Sequence, residues 1–403
     1  MTSDIVKGYQ QSFDALAAKN PKLTAQVNLG TPFPDKFLTA SAAGTPPDLV
    51  FIPPEGGYPQ DWANKQIVKN LDSYMQRDKL SIADFFAPAW QGSLFNGHQY
   101  VMPIQVDPNF PMVYNKALLQ EVGIAAPPAT VSDLDDANQK LFRKNGASIS
   151  RLGILPPWQT YGSGNSLLTY FAVFGGGYFA PGATDQSKLD MTQAGNVAAL
   201  TWMKKYADLF GGYAAIQAFT GTWGKLGYPD GMAHGFVTMG PMVSANYTSA
   251  VKAAKGSAYA DSFVAAEMPV APGVKADPGW LGGWAMSIPN GVKRPDDSWT
   301  ALSWFGGSPE GTDTWAEING FLPVYKKSPY LAKMAADPVV SVYIKVLQNS
   351  YVVAPSPLGW QDIPAKASDT LLLDIVQGKT DISTALQQFQ QVAQAALDKA
   401  KGA

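Results

Sequence analysis

The chain has 403 residues, more than one hydrophobic core usually supports, so its length predicts two domains. Its net charge of −2 and its lack of any run of Lys or Arg argue against a nucleic-acid partner. Because the chain contains no cysteine, disulfides, thiolate catalysis and Cys-ligated metals are excluded, and an oxidising compartment would suit it.

The first fifty residues predict a helix, a strand, a second helix and a second strand. Residues 4–18 carry apolar side chains at helical spacing, and residues 23–29 alternate as a short strand does. A helix over 34–43 follows and ends at Gly44. The apolar run 49–52 indicates a strand buried on both faces, which is typical of a parallel sheet.

Helices and short apolar runs continue to alternate, with a strand at 112–114 and helices at 116–122 and 193–210. This order predicts an α/β fold with parallel sheets, whose ligands bind at the carboxyl ends of the strands. The chain ends in helical patterns at 331–335, 339–349, 365–377 and from 382 onward. No apolar stretch reaches the ~20 residues that span a bilayer, and no signal peptide follows Met1.

Ordered sequence blocks resemble the family 1 extracellular solute-binding proteins, the maltose-binding-protein-like group. The blocks that carry the resemblance are Gly44-Thr45-Pro46-Pro47-Asp48-Leu49-Val50-Phe51, Gly97-His98-Gln99-Tyr100-Val101-Met102-Pro103, Val113-Tyr114-Asn115-Lys116, Pro127-Pro128-Ala129-Thr130, Gly231 to Pro241, Gly282-Gly283-Trp284 and Asn319-Gly320-Phe321-Leu322-Pro323. They run in order from residue 44 to residue 323.

The resemblance implies a two-lobed periplasmic-binding-protein-like fold of type II, with parallel-sheet lobes, a multi-strand hinge and a helical C-terminus. Residues 1–110 and 270–320 would form the N-terminal lobe, and 111–269 and 321–403 the C-terminal lobe. It also implies a monomer that captures a sugar, a mono- or oligosaccharide, by lobe closure for the permease of an ABC importer. Its location would be the periplasm or the cell surface, with a lipid anchor if the organism is Gram-positive.

The N-terminus departs from the family pattern. Members of the family usually begin with a strand before the first helix, whereas Met1-Thr2-Ser3 leads directly into the predicted helix. We therefore expect an incomplete N-terminus, and a sheet that lacks one strand would leave a ladder of backbone groups unpaired.

A sugar site needs planar aromatic surfaces and a few carboxylate or amide partners. The block alignment places two candidate hydroxyl acceptors, Glu55 and Asp107, although a loop carboxylate is often merely solvated. Candidate stacking or backbone contacts come from loops or glycine-rich segments, namely Trp158, Trp223, Trp280, Gly282, Trp284 and Trp360. We expect Trp360 to come from the second lobe. One of Trp280 and Trp284 could instead pack beneath the hinge.

Several alternatives bear on the ligand and the activity. The family's Gly-Pro-Trp element is replaced here by Gly240-Pro241-Met242, which argues against maltose-type recognition. A polyol or a glycerophosphate-type solute therefore remains an alternative ligand. A carbohydrate-active enzyme would need two carboxylates roughly 5 to 10 Å apart, and an adhesin would bind no small ligand. No catalytic motif surrounds the two histidines, His98 and His234, so we expect no catalysis, no cofactor and no metal.

Overall fold

The computed structural model describes residues 3–28, 33–53, 56–91, 93–183, 186–352, 354–364 and 366–402, with backbone only at 3–5, 88 and 91. Glu55 therefore lies outside the described residues. No helix in the described segments is both long and apolar enough to cross a membrane.

The α-helices are, in chain order, α1 (Ser3–Lys19), α2 (Asp35–Ala42), α3 (Tyr58–Asn64), α4 (Asp72–Arg77), α5 (Ala87–Gln91), α6 (Lys116–Glu121), α7 (Val131–Leu141), α8 (Ser163–Val173), α9 (Ala194–Leu209), α10 (Tyr213–Thr220), α11 (Tyr228–Ala233), α12 (Ser244–Ala254), α13 (Pro295–Gly307), α14 (Pro309–Asn319), α15 (Pro329–Met334), α16 (Pro338–Asn349), α17 (Ala367–Val376) and α18 (Ile382–Lys401). Short 3-10 turns lie at Ile82–Asp84, Pro157–Gln159 and Trp360–Asp362.

The strands are β1 (Val50–Ile52), β2 (Leu94–Phe95), β3 (His98–Gln99), β4 (Met102–Asn109), β5 (Met112–Asn115), β6 (Arg143–Asn145), β7 (Ser148–Ile154), β8 (Val237–Pro241), β9 (Phe263–Ala266) and β10 (Trp280–Ser287). The β2–β3 hairpin turns at Asn96-Gly97, whose φ angles of 51° and 80° are those that a tight two-residue hairpin turn requires.

The chain divides into two compact units. Unit 1 comprises 1–107, 281–336 and 353–361, and unit 2 comprises 108–280, 337–352 and 362–403. This division differs from the expected lobes because 321–336 and 353–361 belong to unit 1, and 108–110 and 270–280 belong to unit 2.

The physical reason for the difference lies in backbone pairing within unit 1. Leu322 pairs with Val106 and Tyr325 pairs with Phe85, so the chain after α14 stays with the first unit. The 354–361 segment is hydrogen-bonded to the residues just before α3, where the Gly56 N–H donates to the Pro355 carbonyl at 3.1 Å.

Unit 1 is built on a three-stranded sheet in the order β1-β10-β4. Its first pair is antiparallel, with Val50 opposite Ser287 and Ile52 opposite Ala285. The surrounding core gathers apolar side chains from α2, β1, α3, β10 and the segment after α3, including Phe37, Ile52, Trp62, Val68 and Ala285.

Unit 2 is built on a five-stranded sheet in the order β6-β7-β8-β5-β9. Only β7 and β8 are parallel among the described pairs of this sheet, while β5 runs antiparallel to both β8 and β9. Helix α16 packs against β9, and α8 packs against α9 and α17.

The expected α/β fold is confirmed, but both sheets contain antiparallel pairs, so neither sheet is wholly parallel. A continuous apolar run reports that a strand is covered on both faces, but it does not report strand direction. In unit 1, β1 is antiparallel to β10, although its sequence had suggested a parallel strand.

The strand expected over 23–29 is also not formed, since the described part, 23–28, belongs to no ladder. The Gln10 side chain binds this segment instead. Its amide donates to the Ala25 carbonyl at 2.9 Å and accepts from the Val27 N–H at 2.8 Å. The side-chain amide of Gln10 thus forms the two hydrogen bonds that a peptide group of a neighbouring strand would form.

Candidate functional site

Trp360 lies in unit 1 beside the start of α3 and is partly exposed. A Cβ added at Gly57 would lie 3.0 Å from the Cβ of Trp360 and 3.1 Å from the Pro357 carbonyl oxygen. Gly57 also has a φ of +79°, so this close approach requires glycine for two reasons. The expectation that the second lobe supplies Trp360 does not match its place in unit 1.

Three further contacts fix the loop that carries Trp360. Gly359 N–H donates to the Asp61 carboxylate at 3.2 Å, and Gly56 N–H donates to Pro355 at 3.1 Å. The Gln361 side-chain amide donates to the Gly56 carbonyl. The indole of Trp360 is therefore held on a braced loop next to Gly56, the described neighbour of Glu55.

Asp107, the second expected carboxylate, lies on β4 and is 8% exposed. Burial, and after it the negative charge of Asp107, raises the pKa of Tyr9. Tyr9 stacks on Phe51 at a centroid distance of 4.8 Å and contacts Trp315 at 4.8 Å. Tyr9 thus belongs to an aromatic cluster of unit 1, and its pKa responds to the charge of Asp107.

Strand packing explains why one of the two adjacent glycines on β10, Gly283, has to be a glycine. A Cβ at Gly283, whose φ is +132°, would lie 2.5 Å from the Gln105 carbonyl oxygen on β4. Gly283 therefore lets two strands approach closely. Gly282 is buried on the same strand, and contact of its backbone with a ligand stays a prediction.

Trp280 is buried in unit 2, with 1% of its surface exposed. Its indole N–H donates to the Thr169 hydroxyl at 3.1 Å, and its ring meets Phe110 edge-on at 5.8 Å. These contacts favour the packing alternative for Trp280, because its ring and its polar atom are both engaged by the protein.

Trp284 is partly exposed and faces a groove of unit 1, hereafter the α1 groove. This groove has a volume of about 740 Å³ and is lined by α1, residues 23–28, β1 and parts of α2 and α13. Its lining is mainly apolar and includes Tyr9, Phe13 and Phe51.

The two tryptophans expected from unit 2 loops are both buried. Trp158 is 3% exposed, and Trp223 is 7% exposed. The Trp223 ring lies directly over Gly231 of α11, where an added Cβ would be 2.6 Å from the ring, and it meets Phe219 edge-on at 5.9 Å. Packing therefore accounts for Trp223 better than ligand stacking does.

Tyr161 is an aromatic residue of unit 2 that the sequence reasoning missed. It has a positive φ of 56° and is partly exposed, and its ring stacks on Phe110 at 5.1 Å. Its hydroxyl accepts hydrogen bonds from the Val243 N–H at 3.2 Å and from the Asn246 amide at 2.8 Å. A tyrosine before a glycine in a polar loop, Tyr161-Gly162, was the available signal.

Met242 does not offer the adaptable surface that its sequence position suggested, because it is fully buried. Its carbonyl accepts a hydrogen bond from the Tyr343 hydroxyl at 2.7 Å. The Met242 side chain belongs to the core of unit 2.

The carboxylates and histidines outside these segments are engaged elsewhere. Glu267 forms an ion pair with Lys345, and Glu317 pairs with Lys333 at 3.5 Å. His98 contacts Asp72 at 2.6 Å on the surface of unit 1. Within the described segments, no group of three or more His, Asp or Glu side chains could hold a metal ion.

A comparison with known families finds one match. A family model described as bacterial extracellular solute-binding protein matches residues 13–341. A search of curated proteins finds no significant match.

Three solved structures share the fold. CpMnBP1 with mannobiose bound has a TM-score of 0.82 and 21% identity, covering 98% of this chain and 97% of that one. The sugar-binding protein MalE from Xanthomonas citri has a TM-score of 0.79 and 20% identity, covering 98% and 96%. UgpB from Mycobacterium tuberculosis, in complex with glycerophosphocholine, has a TM-score of 0.73 and 18% identity, covering 98% and 95%.

Proposed function

Because the chain belongs to the bacterial extracellular solute-binding protein family, we propose that it captures a mono- or oligosaccharide for the permease subunits of an ABC importer. The protein works in the periplasm or on the cell surface as a monomer. Closure of two lobes around the sugar, expected from the sequence resemblance, stays a prediction.

The observation that carries the proposal is the presentation of Trp360. A flat, partly exposed indole on a loop fixed by Gly57, Asp61 and Gln361 suits the apolar C–H face of a sugar ring. Because the loop is already braced, little ordering entropy is lost when a ligand stacks on the ring.

Unit 2 has a planar aromatic surface of its own. Tyr161 is anchored by Phe110, Val243 and Asn246, so its ring is held in one orientation. Sugar sites combine such rings with a few fixed polar groups. Asp107 is the described carboxylate that we assign to this polar role.

A glycerophosphate-type solute is the alternative ligand, since UgpB, a solved structure of the same fold, holds glycerophosphocholine. Phosphate recognition usually draws on arginine or lysine. None of Gly57, Asp61, Gln361 and Asn246, which brace Trp360 and Tyr161, is an arginine or a lysine, so we favour the sugar over the phosphate-type ligand.

Catalysis is not part of the proposal. A glycosidase needs two carboxylates close together, whereas Glu267 belongs to unit 2 and Glu317 to unit 1, and each is paired with a lysine of its own unit. Incubation with oligosaccharides should therefore release no new reducing ends.

A thermal-shift screen tests the proposed function. The panel contains mono- and oligosaccharides, polyols and glycerophosphocholine, each at the same concentration. We expect at least one saccharide to raise the melting temperature, because a ligand that binds only the folded state stabilises it. A shift with glycerophosphocholine alone would contradict the sugar proposal and support the glycerophosphate-type ligand. If no compound shifts the melting temperature, both proposed ligands are wrong.

A further inference from the structure

Unit 1 contains a polar pocket that the proposed sugar contacts do not use. This pocket, hereafter the α3–α4 pocket, is lined by the end of α3, the start of α4 and the segment between them, and by Phe95, Tyr100 and Asn290. All of these residues belong to unit 1. The pocket volume of about 650 Å³ lies within the range of roughly 300–1,000 Å³ that small-molecule sites occupy.

The α3–α4 pocket is distinct from the surface that carries Trp360. The loop of Trp360 approaches Gly57, just before α3, whereas the pocket is lined by Asn64, the last residue of that helix. Because each helical residue rises about 1.5 Å, Gly57 and Asn64 are about 10 Å apart along the helix axis. The pocket therefore offers a second place for a ligand in unit 1.

Two aromatic rings line the pocket, and the protein holds both of them. Phe95 and Tyr100 are partly exposed, and their rings meet at a centroid distance of 6.2 Å and an interplanar angle of 64°. Tyr100 also packs against the buried core that contains Trp62 and Val68. A sugar can lay the apolar C–H face of its ring on such an aromatic surface, and little ordering entropy is lost because the rings are already placed.

Asn290 gives the pocket an oriented hydrogen-bond acceptor. Its side-chain NH₂ group donates to the Gln66 carbonyl at 2.6 Å and to the Val68 carbonyl at 3.3 Å. Both bonds use the donor end of the amide, so the side-chain oxygen keeps its acceptor capacity. Within the described segments, no hydrogen bond to this oxygen is found. The Asn290 oxygen can therefore accept from a ligand hydroxyl.

Asn70 gives the same pocket a donor. Its side-chain oxygen accepts from the Asp72 N–H at 2.8 Å, which fixes the side chain at the start of α4. In the part of the chain that the structure describes, the NH₂ group of Asn70 has no hydrogen-bond partner. A hydroxyl group both donates and accepts, so one oriented donor and one oriented acceptor in a single pocket match the hydroxyls of a sugar.

The charge of the lining favours a neutral ligand. Among the described residues that line the pocket, Lys69 alone carries a charge, beside the amide side chains of Asn64, Gln66, Asn70 and Asn290. Phosphate is usually recognised by charge-assisted hydrogen bonds from arginine or lysine. One lysine among four amides is better suited to hydroxyl groups than to a doubly charged anion.

We propose that the α3–α4 pocket is a second saccharide site, in which a sugar ring lies against Phe95 and Tyr100 while Asn70 and Asn290 bind its hydroxyls. The site shares no lining residue with the Trp360 loop, and it binds its sugar whether or not Trp360 holds one. The two proposals can therefore fail independently of each other.

Saturation-transfer difference NMR tests the proposal. The probes are the methyl glycosides of glucose, galactose, mannose, xylose and N-acetylglucosamine, with inorganic phosphate as the comparison ligand. The protein is the Trp360→Ala variant, in which the other proposed sugar contact is removed. We expect at least one glycoside to bind saturably and phosphate not to displace it.

A matched pair of variants locates the binding. Ser73 and Gln76 are both exposed on α4, but only Ser73 lines the pocket. In the Trp360→Ala background, Ser73→Trp should fill the pocket and weaken glycoside binding by about tenfold or more. Gln76→Trp should leave the affinity unchanged.

A second pair tests the hydrogen bond from Asn70. Asn70→Asp keeps the oxygen that accepts from the Asp72 N–H but removes the NH₂ group, so glycoside binding should weaken about fivefold. Asn96→Asp adds the same charge at an exposed residue next to Phe95 that does not line the pocket, and it should leave the affinity unchanged. Melting temperatures of both variants check that each is folded.

Three results would overturn the proposal. The first is that no glycoside binds the Trp360→Ala protein saturably. The second is equal affinity within either pair of variants, because binding would then lie outside the pocket or would not use Asn70. The third is displacement of the glycoside by phosphate, which would make the pocket an anion site.

Discussion

Two tryptophans four positions apart on β10 behave differently in the two units. Trp280, in unit 2, is 1% exposed and has its indole N–H bound by Thr169. Trp284, in unit 1, is partly exposed and faces the α1 groove. Trp280 therefore packs in the core of unit 2, whereas Trp284 lines a groove of unit 1. Residue type therefore does not decide which tryptophans can meet a partner; the packing opposite each ring does.

The largest expected effect is on stability. Trp280→Ala should lower the free energy of unfolding by about 3–5 kcal/mol, because it leaves a cavity in a filled core. Trp284→Ala should cost clearly less, since its ring borders a groove. Urea denaturation of both variants measures the difference. Equal losses would contradict the conclusion that Trp280 is packed more fully than Trp284.

The next effect is on ligand affinity. Trp360→Ala should weaken sugar binding by about 1–3 kcal/mol, the scale of an aromatic anchor. Trp304, which is also partly exposed in unit 1 but lies on α13, provides the control. Calorimetric titration of Trp304→Ala should give the wild-type affinity for the sugar. If both variants lose affinity equally, Trp360 has no specific role in binding the sugar.

A smaller effect tests the hydrogen bond that separates Trp280 from Trp284. Thr169→Val keeps the shape of the side chain but leaves the buried indole N–H without its partner, which should cost about 1–2 kcal/mol of unfolding free energy. Thr169→Ser retains the hydroxyl and should recover most of this loss. If valine and serine are equivalent in thermal denaturation, the bond does not hold Trp280 in place.

The smallest effect is a pH dependence in unit 2. The side-chain hydrogen bonds from Arg151, at 2.7 and 3.1 Å, lower the pKa of Glu121. The interaction with Arg151 therefore stabilises the folded protein fully above the pKa of Glu121 in the unfolded chain, about 4.3. This stabilisation is lost as pH falls through the lower pKa that Glu121 has in the folded protein. Because Glu121 is half exposed, the pair should contribute no more than about 0.5 kcal/mol.

Glu121→Gln provides the measurement. Its melting temperature should lie slightly below that of the wild-type protein at neutral pH, and the gap should close in acid. A gap that persists under acidic conditions would show that the hydrogen bonds do not depend on the charge of Glu121.

The helices could be predicted from the sequence because burial of one helical face imposes its own periodicity. The expected ranges 34–43 and 116–122 agree with α2 (Asp35–Ala42) and α6 (Lys116–Glu121) within one residue at each end. The direction of β1 could not be predicted. The apolar run Val50, Phe51 and Ile52 indicates that the strand is covered on both faces, but it is the same whether the neighbouring strand is parallel or antiparallel.

The candidate site was predictable only in part. Trp360 and Asp107 stay predicted ligand contacts from the resemblance, whereas the packing of Trp280 and Trp223 required knowledge of the side chains that lie against them. Tyr161 was missed because its anchors, Val243 and Asn246, are more than eighty positions away along the chain. Such long-range contacts leave no local signal.

Native mass spectrometry after equilibrium dialysis tests the central claim most directly. The protein is dialysed against an equimolar mixture of saccharides, polyols and glycerophosphocholine, and the retained molecule is identified by its mass. The account predicts that one saccharide is retained at one molecule per chain, and that Trp360→Ala retains less of it. Retention of glycerophosphocholine instead of any saccharide would contradict it.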